Sequence, residues 1–206
     1  AYIMQFVGPP FTFSIRQVGS NCGLIGQHAI KYVNGKVFWM GQAGGFFVYD
    51  GTVKSLPCLV EDFVFTSKGD NLGINYTAGE QVYAGLNHLY EEITWFYAKN
   101  GEEQVDRAVT YNYTENTWTT GSLARTSWAD ATLYDNPYAT EFITADVPTF
   151  PTIQGATNIN GASTYYAHEV GNNEVDALGN KTAIPAFITS GDFDLSTGGD
   201  GQFFMS

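Results

Sequence analysis

The chain has 206 residues, room for one large or two small β domains, and its 4 Trp, 13 Tyr and 15 Phe slightly outnumber its 9 basic and 21 acidic residues, a ratio that suits extensive sheet-to-sheet packing. A net charge of −12 argues against gripping nucleic acid by counterion release; it reads first as an ordinary soluble acidic surface and second as the wall of a passage that DNA crosses without sticking. The longest apolar runs fall far short of a membrane span, and the only two cysteines, Cys22 and Cys58, make neither a disulfide framework nor a zinc site.

Tyr2–Val7 reads as a strand, stopped by Gly8-Pro9-Pro10, with Phe11–Val18 as its partner. A Gly-rich connection over 19–28 leads into VNGKVFWMGQAGGFFVYDGTVKSLP, which holds three turn signals. Asn34-Gly35 fits a type I′ turn, which needs positive φ at both central positions. Turns at Gly41 to Gly45 and at Asp50-Gly51 complete an up-down-up-down sheet of Ala29–Val33, Lys36–Met40, Phe46–Asp50 and Thr52–Leu56. Cys58–Lys68 has helical spacing at Leu59, Val60, Phe63 and Val64, although Phe63–Thr66 also suits a strand.

A second unit follows, with strands at Gln81–Gly85, Glu92–Ala98, Arg107–Tyr113 and Thr117–Ser122, a polar loop at 99–105 and a turn at Thr114–Asn116. Val37-Phe38-Trp39 echoes Ile93-Thr94-Trp95, and Val48-Tyr49-Asp50 echoes Tyr111-Asn112-Tyr113. A four-stranded sheet cannot bury both faces alone, so this repetition predicts stacked blades of about 50 residues, a partial β-propeller. The units fall at about 29–56, 81–122 and 134–195, within a single domain over 1–206. The third is looser, with an insertion-like loop over 134–162 and strands at Thr164–Val170 and Ile184–Ser190, the latter extended by Phe193–Leu195. The chain starts at Ala1, in a strand, and stops in GDGQFFMS, which suggests an internal piece of a longer protein, with tag removal or precursor cleavage as the alternative.

Little in the chain carries chemistry. His28, His88 and His168 lack partners at metal-ligand spacing. Gly41, Gly44 and Gly45 sit in a hairpin rather than between a strand and a helix, so they read as a turn and not a phosphate loop. Asp192, Asp194 and Ser196 alternate as a calcium loop does, but Gly198 falls one place late and no Glu closes the loop, so a strand end fits better. Glu91, Glu92, Glu102, Glu103 and Asp106 lie near Trp95 and read as solvated loop faces before a glycosidase pair. Sequons stand at Asn75, Asn112 and Asn180. Trp118, after the polar turn at 114–116, resembles the Trp that closes a kelch blade; it is expected to cover the gap between sheets rather than serve as a sugar platform. No catalytic, cofactor-binding or metal residue is therefore assigned.

Three blocks, FVGPPFTFSIRQVGSNCGLIG, VNGKVFWMGQAGGFFVYDGTVKSLPC and EITWFYAKNGEEQVDRAVTYNYTENTWTTGSLARTSW, together resemble bacteriophage virion structural proteins, most of all the tail-hub or packaged-DNA stabilisation proteins of short-tailed phages. The resemblance covers roughly residues 1–130, with weaker matches at YYAHEVG and ITSGDFDL, and departs over 141–162. It implies a β-propeller-like tail component, located in the virion and without enzymatic activity or cofactor. It also implies a homo-oligomeric ring that meets portal, neck or tail proteins and no membrane, with at most non-specific contact with passing DNA. The competing reading is a propeller-type carbohydrate-binding module or glycosidase, against which stand the lack of Asp-box repeats and of an Arg cluster.

Overall fold

The computed structural model describes residues 1–131, 135–142, 163–168, 171, 173–175 and 180–183. Within them the regular structure is almost wholly antiparallel β-sheet. Strands β1 (Tyr2–Phe6) and β2 (Phe13–Gln17) form a two-stranded ribbon. Strands β3 (Ile30–Val33), β4 (Lys36–Met40), β5 (Phe46–Tyr49) and β6 (Val53–Leu56) follow as a meander in which each strand pairs with the next. Asn34 and Gly35 both take positive φ, 51° and 78°, as the β3–β4 turn requires.

The second meander joins β7 (Tyr83–Asn87), β8 (Glu92–Tyr97), β9 (Arg107–Asn112) and β10 (Thr117–Gly121) in the same fashion. Between the two meanders run helix α1 (Glu61–Phe65) and a kinked 3-10 segment, Tyr76–Gln81. The ambiguous 58–68 stretch thus resolves as a short helix, with Val64 buried. The first strand of the second sheet begins at Tyr83 rather than Gln81, because Asn75 caps the 3-10 segment: its Oδ1 accepts from the Thr77 backbone N–H and hydroxyl, at 3.0 and 2.6 Å.

A three-stranded sheet of β11 (Ser127–Ala129), β12 (Tyr138–Phe142) and β13 (Ser163–Ala167) comes next, and β14 (Asn173–Val175) pairs with β15 (Lys181–Ala183). The strand expected at Thr164–Val170 corresponds to β13. Strand β12 lies inside the 134–162 stretch expected as an insertion-like loop and corrects that expectation, while β11, β14 and β15 are three residues each, too short to show period-two alternation. The expected strands at 184–190 and 193–195 and the loop core at 143–162 lie outside the described residues.

Register explains where the core sits. In the first sheet Phe38, Met40, Phe46 and Leu56 share one face, and Trp39 and Phe47 share the other. In the second, Ala84, Leu86, Ile93, Trp95, Val109, Tyr111 and Trp118 share one face. The first of these groups packs on the last, making the main hydrophobic core. Phe46 lies at its centre, with ring centroids 4.9 Å from Trp95 and 4.6 Å from Trp118. Trp39 and Trp95 are both buried, as the repetition predicted.

The two tryptophans are also equivalent. Each lies on the second strand of its meander, on the face turned back toward the preceding segment. Trp95 donates its indole N–H to the Ala29 carbonyl at the start of the first sheet, at 3.1 Å. Trp39 donates to the Cys22 carbonyl in the connection before it, at 2.9 Å, and stacks on Phe47. The sheets are therefore stacked in one repeating orientation. The opposite face of the second sheet continues the series through Phe96, Ala108 and Tyr83, which pack on Trp128 of β11.

Candidate functional site

The first strands of the successive sheets lie side by side. His28, just before β3, bridges Tyr83 of β7 in parallel, and the Ala84 N–H donates to the His28 carbonyl at 2.9 Å. Strand β11 packs along β7 in turn. This puts the first-strand edges of three sheets in one place, where side chains from distant parts of the sequence converge.

Asp130, just after β11, ties the three together. Its Oδ2 meets Lys31 Nζ of β3 at 2.7 Å, and its Oδ1 accepts the Leu86 backbone N–H of β7, also at 2.7 Å. Both charged groups are three-quarters or more buried, so solvent screens the pair less than it would at the surface. Trp128 is held against β7 because Gly85 has no side chain: a Cβ there would stand 2.7 Å from the indole ring. The Trp128 N–H donates to the Leu86 carbonyl at 3.3 Å.

A cleft of about 610 Å³ opens beside these edges, lined by His28, Lys31, Glu80, Gln81, Tyr83 and Trp128 among others. Tyr83 is fixed in its wall: its hydroxyl donates to the Arg125 carbonyl at 2.9 Å, and burial pushes its pKa well above the ordinary value. The lining mixes amides, an ammonium already paired to Asp130, a carboxylate and an imidazole. Such a wall supplies hydrogen bonds to a polar surface, and its aliphatic hydroxyls, Thr126 and Ser127, are engaged with Thr140.

Behind Trp128 lies a compact polar cluster. Arg125, largely buried, donates from Nε to His168 Nε2 at 3.2 Å and from Nη1 to Glu141 Oε2 at 3.0 Å. Burial first, and the guanidinium second, depress the His168 pKa to about 4, so the ring is neutral at physiological pH and Nε2 is free to accept. His168 also packs on the Trp128 ring, with centroids 4.8 Å apart. The cluster braces the third sheet, and the Tyr83 hydroxyl on the Arg125 carbonyl ties it to the second.

The residues singled out in the sequence are not brought together. His28 borders the cleft, His88 lies in an exposed turn, and His168 belongs to the arginine cluster. Among the described residues, no three His, Cys, Asp or Glu side chains gather at one point. Glu91–Glu92 and the loop of Glu102, Glu103 and Asp106 sit at opposite ends of the six-residue β8, roughly 17 Å of strand apart, beyond the spacing of glycosidase carboxylates. Asp106 and Glu102 pair with Lys99, at 3.0 and 3.6 Å. Gly41 to Gly45 close a hairpin, with the Gly41 N–H donating to the Gly45 carbonyl. Asp192, Asp194, Ser196 and Gly198 lie outside the described residues.

The sequons at Asn75 and Asn112 hold side chains already engaged in hydrogen bonds, to the Glu102 and Tyr90 carbonyls. Cys22 and Cys58 are free thiols; burial pushes the Cys58 pKa up to about 11, which keeps it protonated and unreactive. Trp118 is half-buried, stacked on Trp95 and tilted against Phe46 and Tyr111, with its N–H donating to the Pro57 carbonyl at 2.9 Å. It spans the gap between sheets, as its position after the polar turn suggested. Sequence reasoning missed Asp130, Lys31 and the Arg125 cluster, whose partners are 16 to 99 residues apart.

No protein-family model matches the chain, and no curated protein matches it significantly. Among the described residues, no helix is long and apolar enough to cross a membrane.

Proposed function

We propose that this protein is a structural component of a phage tail or neck, built as part of a β-propeller and working by assembly around the DNA passage. The observation that carries the reading is the repeating stack. Two four-stranded meanders lie in the same orientation with their first strands adjacent, and a third sheet continues the series. A propeller needs this arrangement, first strands inward and faces packed blade on blade. The three sequence blocks quoted above give the resemblance to tail-hub proteins. The net charge of −12 agrees with a wall that passing DNA does not adhere to.

The protein in this reading binds copies of itself and neighbouring virion proteins, carries no catalytic group and needs no cofactor. The carbohydrate alternative draws less support. The aromatic rings that would serve it, Trp118 and Trp128, are engaged in packing between sheets. The test is to produce particles without the protein and, separately, to probe the purified protein for glycan binding and hydrolysis. Defective tails or leaking DNA support the virion reading. Intact infectious particles together with glycan binding or hydrolysis would replace it with the alternative.

A further inference from the structure

An arginine guanidinium donates hydrogen bonds and accepts none. The 3.2 Å contact from Arg125 Nε to His168 Nε2 therefore requires a bare ring nitrogen, which puts the proton of the neutral imidazole on Nδ1. The contact sits where three segments meet. Arg125 stands just before β11, Glu141 lies on β12, and His168 follows β13 directly. The His168 ring packs on the Trp128 indole, and the His168 backbone N–H donates to the Pro137 carbonyl, just before β12, at 2.9 Å. Trp128 also meets Phe96 and the bare backbone of Gly85. The imidazole is thus one of the covers of Trp128, held there by an acceptor atom that a proton can occupy.

We infer that His168 is an acid-released latch: a proton taken from solvent by Nε2 removes the acceptor that Arg125 uses, sets two cations against each other, and drives the ring off Trp128 while the two meanders stay folded. The charges around the ring select this response. Arg125 is the cation that faces it, and Glu141 is already matched to that cation at 3.0 Å, with both side chains more than four-fifths buried. A second positive charge therefore meets a carboxylate that is already neutralised. Asp130, at the other end of β11, is held by Lys31 and the Leu86 N–H. Tyr83, from the second sheet, meets the cluster through its hydroxyl on the Arg125 carbonyl, and burial keeps it protonated. Burial first, and the guanidinium second, hold the pKa of the ring at about 4, so the latch is closed at neutral pH and opens in acid.

The release is local because the ring's partners are local. Trp128 keeps its own bond to the Leu86 carbonyl, and the contact between the two meanders is an apolar core with no imidazole in it. Protonation therefore uncovers the Trp128 ring and loosens the end of β13, and the stack of the first two sheets stays in place. The latch is independent of the virion reading.

An NMR titration of the purified chain from about pH 7.5 to 3.5 tests it, following the His168 ring and the four indole N–H resonances. The ring is expected to titrate near 4, against about 6.5 for an unperturbed histidine. The Trp128 indole resonance is expected to shift with the same midpoint, and the His168 amide to exchange faster below it, while the Trp39 and Trp95 indoles hold their positions. His168→Gln, whose side-chain oxygen accepts from Arg125 without titrating, is expected to abolish the Trp128 transition. A ring that titrates at the ordinary value overturns the latch. So does a Trp128 resonance that ignores the titration of the ring, or a transition that persists in His168→Gln and therefore belongs to Glu141 or another carboxylate. A simultaneous shift of Trp39 and Trp95, which marks unfolding of the whole stack, overturns it as well. None of these outcomes bears on the particle experiment.

Discussion

Trp95 is the residue on which the stack of sheets most depends. It is fully buried, contacts Phe46 and Trp118, and spends its only polar group on the Ala29 carbonyl of the neighbouring sheet. Replacing it with Ala removes a large apolar volume between sheets and takes from that carbonyl one of its two donors, the other being the Met40 N–H at 3.1 Å. The cost is expected to be about 3–5 kcal/mol, read from the shift in denaturant midpoint. His168 gives a pH signature. The unfolded chain takes up a proton near pH 6.5, whereas the folded ring does so only near 4. The contribution of the neutral ring is therefore complete above the unfolded value and is lost as pH falls through the window from 6.5 to 4. The difference in stability between wild type and His168→Gln is expected to shrink or reverse across that window, as thermal melts at several pH values will show. An unchanged difference would contradict the buried, arginine-facing environment of the ring.

At the scale of elements, the first-strand edges hold the sheets in order. Asp130 joins β3 and β7 to the end of β11 through one ion pair and one backbone hydrogen bond. Asp130→Ala leaves Lys31 without its counter-ion and the Leu86 N–H without its acceptor. A loss of about 1–3 kcal/mol is expected, with faster hydrogen exchange concentrated at Leu86 rather than spread over the second sheet. Asp130→Asn, able to keep an acceptor for Leu86, is expected to lose less. These elements were unequally legible in the sequence. The strands from Lys36 to Leu56 and from Glu92 to Gly121 could be placed to within a residue or two, because alternation and the turns at Asn34-Gly35 and 114–116 are local signals. The equivalence of Trp39 and Trp95 was legible too, as a repeated triplet. Asp130 and Arg125 were not, since their meaning depends on partners that only the stacking of sheets brings near. The third sheet was obscure because β11 offers three residues, too few for periodicity to speak.

At the scale of the molecule, each sheet buries one face against its predecessor and offers the other to its successor. The β1–β2 ribbon keeps Tyr2, Met4, Phe6, Phe13 and Ile15 exposed among the described residues, in the acid-free stretch before Asp50. An assembly protein has use for an apolar end that becomes buried on association and for acidic walls that do not hold DNA. The most direct test of this account is a cryo-EM reconstruction of phage particles that contain the full-length protein. The account expects density for the two meanders as neighbouring blades of one propeller, repeated around the tail axis next to the portal or neck, with their acidic surfaces lining the passage. Particles in which the protein has no ordered place on that axis, or density in which the two meanders are not adjacent blades, would contradict it.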